Sequence, residues 1–101
     1  MKKIIFSIGI EHSLKKKIKK AVPGSVVLKN SPNDILGIPD LTVLGPNGKY
    51  AILECKRASD SNIQALQDYY VEKFNKSSYA TFVSPANQKE VIEDLKRILG
   101  N

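Results

Sequence analysis

Two apolar stretches, residues 40–45 and 49–57, are joined through the tetrapeptide Gly45-Pro46-Asn47-Gly48. Proline presets the backbone for the second position of a β-turn, and asparagine suits the third. Glycine alone takes the left-handed conformation that follows without strain, so the segment reads as a type I turn with a bulge. A hairpin centred on Asn47 leaves Asp40 and Glu54 equally far from the turn and therefore opposite one another. Cross-strand neighbours have Cβ atoms about 4.5–5.5 Å apart. Strand residues alternate faces, so Glu54 and Lys56 point one way and Cys55 the other. Any fold for this chain must accommodate two acids and a lysine on one face of a strand that otherwise reads as buried (Ile52, Leu53, Cys55).

The remaining elements follow from period and punctuation. Residues 10–22 read as a helix ending before Pro23-Gly24. At about 100° per residue, Ile10, Leu14, Ile18 and Ala21 fall on one narrow arc, with Val22 beside it. Lys15, Lys16, Lys19 and Lys20 take the far side, Lys17 flanks it, and Glu11 falls inside the apolar sector. Residues 3–9 read either as a further short strand or as an arm that packs on a partner. Residues 25–29 are a short strand and 30–39 a loop. Ser61-Asn62-Ile63-Gln64 has the form of a capping box and opens a helix that runs to about Asn75. Its stripe is Ile63, Leu66, Tyr70, Val71 and Phe74, with Gln67 in the middle of the packing face and Gln64 on its rim. Residues 79–84 form a strand. Asn87, with Glu90 three residues on, opens a last helix ending at Gly100, with Val91, Leu95 and Ile98 as its stripe. The order α-β-β-β-α-β-α describes an α/β domain around a mixed β-sheet flanked by helices.

At 101 residues the chain is a single domain, 1–101. One cysteine excludes an intrachain disulfide scaffold. The longest apolar run, Ile4 to Ile10, is about a third of a membrane span. Although it follows Lys2 and Lys3, no small-residue cleavage site comes after it, so a cytoplasmic protein with no membrane partner is expected. The net charge of +6 is uneven: residues 1–29 hold eight lysines and one acid, whereas 30–101 hold eight bases and nine acids. A basic face on a near-neutral body suits a polyanion, although solubility alone also explains it.

Two carboxylates brought together repel, and each raises the other's pKa unless a cation neutralises them. Lys56 is one candidate. A hard divalent metal is a better one, because it favours oxygen ligands and shares its shell with water and phosphate. Lys56 would then be free to orient an attacking water or offset charge developing on a phosphate. The plainer alternative, a salt-bridged surface hairpin, accounts for any one of these residues but less well for the set. Glu11 and Gln67 both break apolar patterns, and each needs a polar partner, a backbone group or this acidic site.

With Gly37-Ile38-Pro39-Asp40-Leu41 followed by Glu54-Cys55-Lys56, the sequence resembles the PD-(D/E)XK nuclease superfamily. More narrowly, it is similar to the stand-alone VRR-NUC nucleases of phages and bacteria. The likeness covers most of the chain and takes in Glu11, Lys29 and Gln67. It implies a restriction-endonuclease-like fold, with Asp40, Glu54 and the Cys55 backbone carbonyl as metal ligands and Glu11 beside the metal. It implies Lys56 as the catalytic lysine, Gln67 as a support from the helix, and Lys29 as a phosphate contact or positioning residue. Lys15, Lys16, Lys19 and Lys20 are then expected to bind nucleic acid. The resemblance further implies Mg²⁺- or Mn²⁺-dependent hydrolysis of DNA phosphodiester bonds by a homodimer, at four-way (Holliday) junctions, in a bacterial or phage-infected cell and without a nucleotide cofactor. A nuclease acting on flaps, ends or other nucleic acid, and a basic binding module without activity, are the alternatives. Asp34 in the loop and Tyr69, Tyr70 and Tyr79 as base-stacking groups are further candidates, with core packing the better role for Tyr70. His12 reads as surface.

Overall fold

Nothing between Lys2 and Pro23 stops a helix strongly, and in the computed structural model α1 runs unbroken over Lys2–Ala21. Residues 3–9 are therefore helical rather than a strand. The apolar run that suggested one is the first half of the helix. The structure describes residues 2–31, 34–56 and 65–100. After α1 come β1 (Val26–Lys29), β2 (Leu41–Leu44), β3 (Tyr50–Cys55), α2 (Ala65–Ser77), β4 (Tyr79–Val83) and α3 (Gln88–Leu99), in the expected α-β-β-β-α-β-α order. The residues of the expected capping box at 61–64 lie outside the described residues.

The sheet order is β1-β2-β3-β4. The first three strands pair antiparallel, and β4 joins β3 in parallel. A parallel neighbour requires a crossover, which α2 supplies. The turn forms as its residues dictate. Gly48 has φ +85°, Gly45 N–H donates to the Lys49 carbonyl at 2.8 Å, and Gly48 N–H donates to the Gly45 carbonyl at 3.1 Å.

The central strand β3 is covered on both faces, and its alternation divides the core in two. Ala51 and Leu53 join Leu14, Ile18 and Val22 of α1, Val91, Leu95 and Leu99 of α3, and Val27, Leu41 and Val43 of the outer strands. Ile52 faces the other way, onto Val71 of α2 and Ala80, with Tyr50, Phe74 and Phe82 around it. The domain thus has three layers: α1 and α3, the sheet, and α2. Because α2 lies over β3 and β4, the same face of β1 and β2 keeps Val26, Leu28 and Leu44 exposed.

Two local expectations change. Asn87 precedes α3, but its side chain makes no cap bond. Its Nδ2 donates to the Phe82 carbonyl and its Oδ1 accepts from Ser84 N–H, so it ties α3 back to the end of β4. Leu66, placed in the apolar stripe of α2, is 44% exposed. It stands beside the loop before Asp40, where a Cβ on Gly37 would come within 2.5 Å of Leu66 Cβ.

Gly37 also has φ +83°, so its substitution meets both strain and a collision. Left-handed backbone costs an L-residue about 1–2 kcal/mol before the contact is counted. In a domain of this size that corresponds to a drop in Tm of roughly 5–10 °C. Gly37→Ala is therefore expected to melt lower by at least this amount, measured by circular dichroism.

Candidate active site

The hairpin register continues one step beyond Leu41↔Leu53 to set Asp40 opposite Glu54. This is the end of the sheet at which β1 and β3 finish and β2 begins. It is also the carboxyl end of the parallel β3–β4 pair, where open α/β sheets form their clefts. A Lys56 N–H to Val83 carbonyl bond at 2.6 Å extends that pair and fixes Lys56 at the rim.

Asp40 is held from two sides. Its Oδ2 accepts the Cys55 N–H at 2.8 Å. Its carbonyl accepts the Asn30 N–H at 2.7 Å. Asn30 in turn bridges the loop: its Nδ2 donates to the Pro39 carbonyl and its Oδ1 accepts from Thr42 Oγ1. The sequence reading missed Asn30. Its place follows from the β1–β2 register, which pairs Lys29 with Leu41 and so brings Asn30 opposite Asp40.

On the α2 side, Gln67 joins the acid to the lysine. Its Nε2 donates to Glu54 Oε2 at 2.9 Å, and its Oε1 accepts from Lys56 Nζ at 2.7 Å. Lys56 Nζ also lies 5.6 Å from the centre of the Phe82 ring. Glu54 is 4% exposed. Its Oε1 is buried with no hydrogen-bond partner among the described residues. Once ionised, an oxygen in that condition is where a cation would fit. Burial, and then the Asp40 charge, push the Glu54 carboxyl up to about 8, against the pull of Lys56. Burial raises Asp40 as well, and Glu11 adds to the rise.

On the α1 side, the Glu11 carboxylate, the Asp40 carboxylate and Cys55 Sγ all lie within 4.8 Å of one another. Glu11 is buried, and its Oε2 accepts from Lys29 Nζ at 2.5 Å. That bond raises the Lys29 pKa. Burial and the surrounding acids hold Cys55 as a thiol, so the donor set is carboxylate oxygen rather than thiolate, a set suited to Mg²⁺ or Mn²⁺.

The structure therefore gathers Glu11, Asp40, Glu54, Cys55, Lys56, Gln67 and Lys29 at one place. Lys16, Lys19 and Lys20 lie exposed on α1 and Lys15 is half-buried. Asp34 and His12 are exposed. Tyr79 spends its hydroxyl on Asp94 Oδ2 at 2.9 Å. Tyr70 stacks on Phe74, and Tyr69 is the exposed member of the three tyrosines. Gln64 lies outside the described residues.

No protein-family model and no curated protein matches the chain. Among solved structures it is similar to one named "VRR_NUC domain", with a TM-score of 0.63 and 29% identity, over 82% of this chain and 94% of that one. No helix among the described residues is long and apolar enough to cross a membrane.

The Glu54 shift gives a signed expectation. A carboxyl with a folded-state pKa above its unfolded value stabilises the fold below the unfolded pKa, and that contribution is lost as pH rises to the folded value. For Glu54 the window runs from about 4.5 to about 8. Without divalent ions the Tm should fall across this range, and Asp40 contributes in the same sense. Glu54→Gln, with no charge to bury, should flatten the decline in a series of melts at stepped pH.

Proposed function

We propose, from the similarity to a VRR_NUC nuclease domain, that the chain is a nuclease of that family and a metal-dependent, structure-selective DNA endonuclease acting at four-way junctions. The observation that carries the site is the Asp40–Glu54 pair, with Glu54 buried and its Oε1 without a hydrogen-bond partner among the described residues, bordered by a lysine held through Gln67.

Asp40 and Glu54, with the Cys55 backbone carbonyl and Glu11 close by, would hold Mg²⁺ or Mn²⁺. Such an ion, when bound, lowers the pKa of a coordinated water and neutralises charge on a phosphate. The chain supplies the rest. Asp40 is preset by the Cys55 and Asn30 amides, so it does not need reorganising when substrate arrives. Gln67 orients Glu54 and Lys56 together, which would leave the Lys56 ammonium placed to position the attacking water and offset charge developing on a phosphate. Lys15, Lys16, Lys19 and Lys20 would follow the phosphate backbone of the DNA. A homodimer belongs to this reading, because two sites about a twofold axis address two strands of a symmetric junction. The exposed strip of Val26, Leu28 and Leu44 supports it.

The deciding experiment is cleavage of a labelled four-way junction beside a matched linear duplex, with Mg²⁺, Mn²⁺ or EDTA. Junction-selective nicking, abolished by EDTA and reduced at least about 100-fold in Asp40→Asn, is expected. Equal cleavage of both DNAs would reduce the reading to a general nuclease. Binding without cleavage by any metal would favour a basic binding module. The combined K16A/K19A/K20A variant should lower the slope of log affinity against log salt by about 2–3, read by fluorescence anisotropy.

A further inference from the structure

We infer that this site takes one divalent cation rather than two, because the ammonium of Lys29 already serves as the second cation. The inference rests on the divalent-cation reading above and concerns how many ions that site accepts.

Asp40 stands between two halves of the site. On the α2 side it faces Glu54, whose Oε1 remains buried and without a hydrogen-bond partner among the described residues. On the α1 side its neighbours are the Glu11 carboxylate and Cys55 Sγ, all within 4.8 Å. Taken alone, this second group is close enough to enclose an ion of its own. It is not open, however, because Lys29 Nζ sits 2.5 Å from Glu11 Oε2. Lys29 is the last residue of β1 and pairs with Leu41, next in sequence to Asp40, so a strand delivers the ammonium to this position.

The charges agree. With all three carboxyls ionised, as an ion-binding site requires, Glu11, Asp40 and Glu54 against Lys29 and Lys56 leave a net charge of −1. One divalent ion brings the site to +1, which a substrate phosphodiester balances, whereas a second would bring it to +3 in partly buried surroundings. The Lys29 side chain is 55% exposed while that of Glu11 is 10% exposed, so the ammonium reaches in from solvent and its removal opens no hole in the core. Lys29 is thus a positioning residue. It keeps Glu11 neutralised and leaves Asp40 to the ion shared with Glu54.

The test counts Mn²⁺ bound per chain without DNA, by calorimetry and by the electron paramagnetic resonance of free Mn²⁺. One ion is expected in the wild type, two in Lys29→Met, and one again in the E11Q/K29M double variant. Glu11→Gln alone should keep a count of one with affinity changed less than about tenfold, which is the lower end of what outer-shell partners contribute. Two ions in the wild type, or one in a folded Lys29→Met, would overturn the inference. So would loss of the ion in Glu11→Gln, a result that needs no Lys29 variant to fold. No Mn²⁺ in the wild type would overturn the divalent-cation reading itself, a different failure from a wrong count.

Discussion

Three carboxylates meet at one end of a sheet, in a place where water cannot easily solvate them. Glu11 and Glu54 are both buried, and Asp40 stands between the groups they form. Left to themselves, like charges at that separation separate or take up protons. This chain holds them with a hairpin register, a helix and a strand-end amide, none of which can yield without disturbing the core. The rest of the architecture can be read as the means of enforcing that proximity. β3 is covered on both faces, so Glu54 cannot turn to solvent. α1 carries Leu14, Ile18 and Val22 into the core and so cannot withdraw Glu11. The Asn30 clamp and the Gly37–Leu66 contact keep the loop before Asp40 closed.

That proximity is also a store of function. A domain of this size has a stability of only several kcal/mol, yet a buried acid pushed to about 8 weakens it at neutral pH. Such an arrangement would suit a cation that takes the place of the proton, since the interactions that raise the Glu54 pKa would also favour a divalent ion. Gln67 fits this logic. An amide can serve a carboxylate with its N–H and an ammonium with its oxygen at once, so it couples Glu54 to Lys56 without adding charge.

The sequence was most legible where local chemistry and tertiary structure agree. The turn at Pro46-Asn47-Gly48 predicts the register, and the register predicts the pairing of Asp40 with Glu54. Glu11 and Gln67 were visible because each interrupts an apolar stripe. The strand reading of residues 3–9 fails because a short apolar run carries no period of its own, and only continuity with the helix behind it decides its conformation. Leu66 was misplaced because a stripe predicts the side of a helix that meets a sheet, whereas this leucine sits beside a loop. Asn30 and the Lys29–Glu11 bond depend on pairs far apart in sequence, and no local pattern announces them.

Cys55 shows why the middle residue of Glu-Cys-Lys is more than a spacer. Its position sends Glu54 and Lys56 to the α2 face while its own side chain packs against the α1 core. Its amide holds Asp40, and its sulfur closes the α1 half of the site beside Glu11. A small, weakly polar side chain suits this place. A larger one would press on Glu11 and Asp40, and an acidic one would add to a surplus of negative charge that Lys29 only partly offsets. Kept as a thiol by burial and by the acids around it, Cys55 would leave any ion binding to oxygen. The backbone of one residue thereby fixes the carboxylate on which both halves of the site depend.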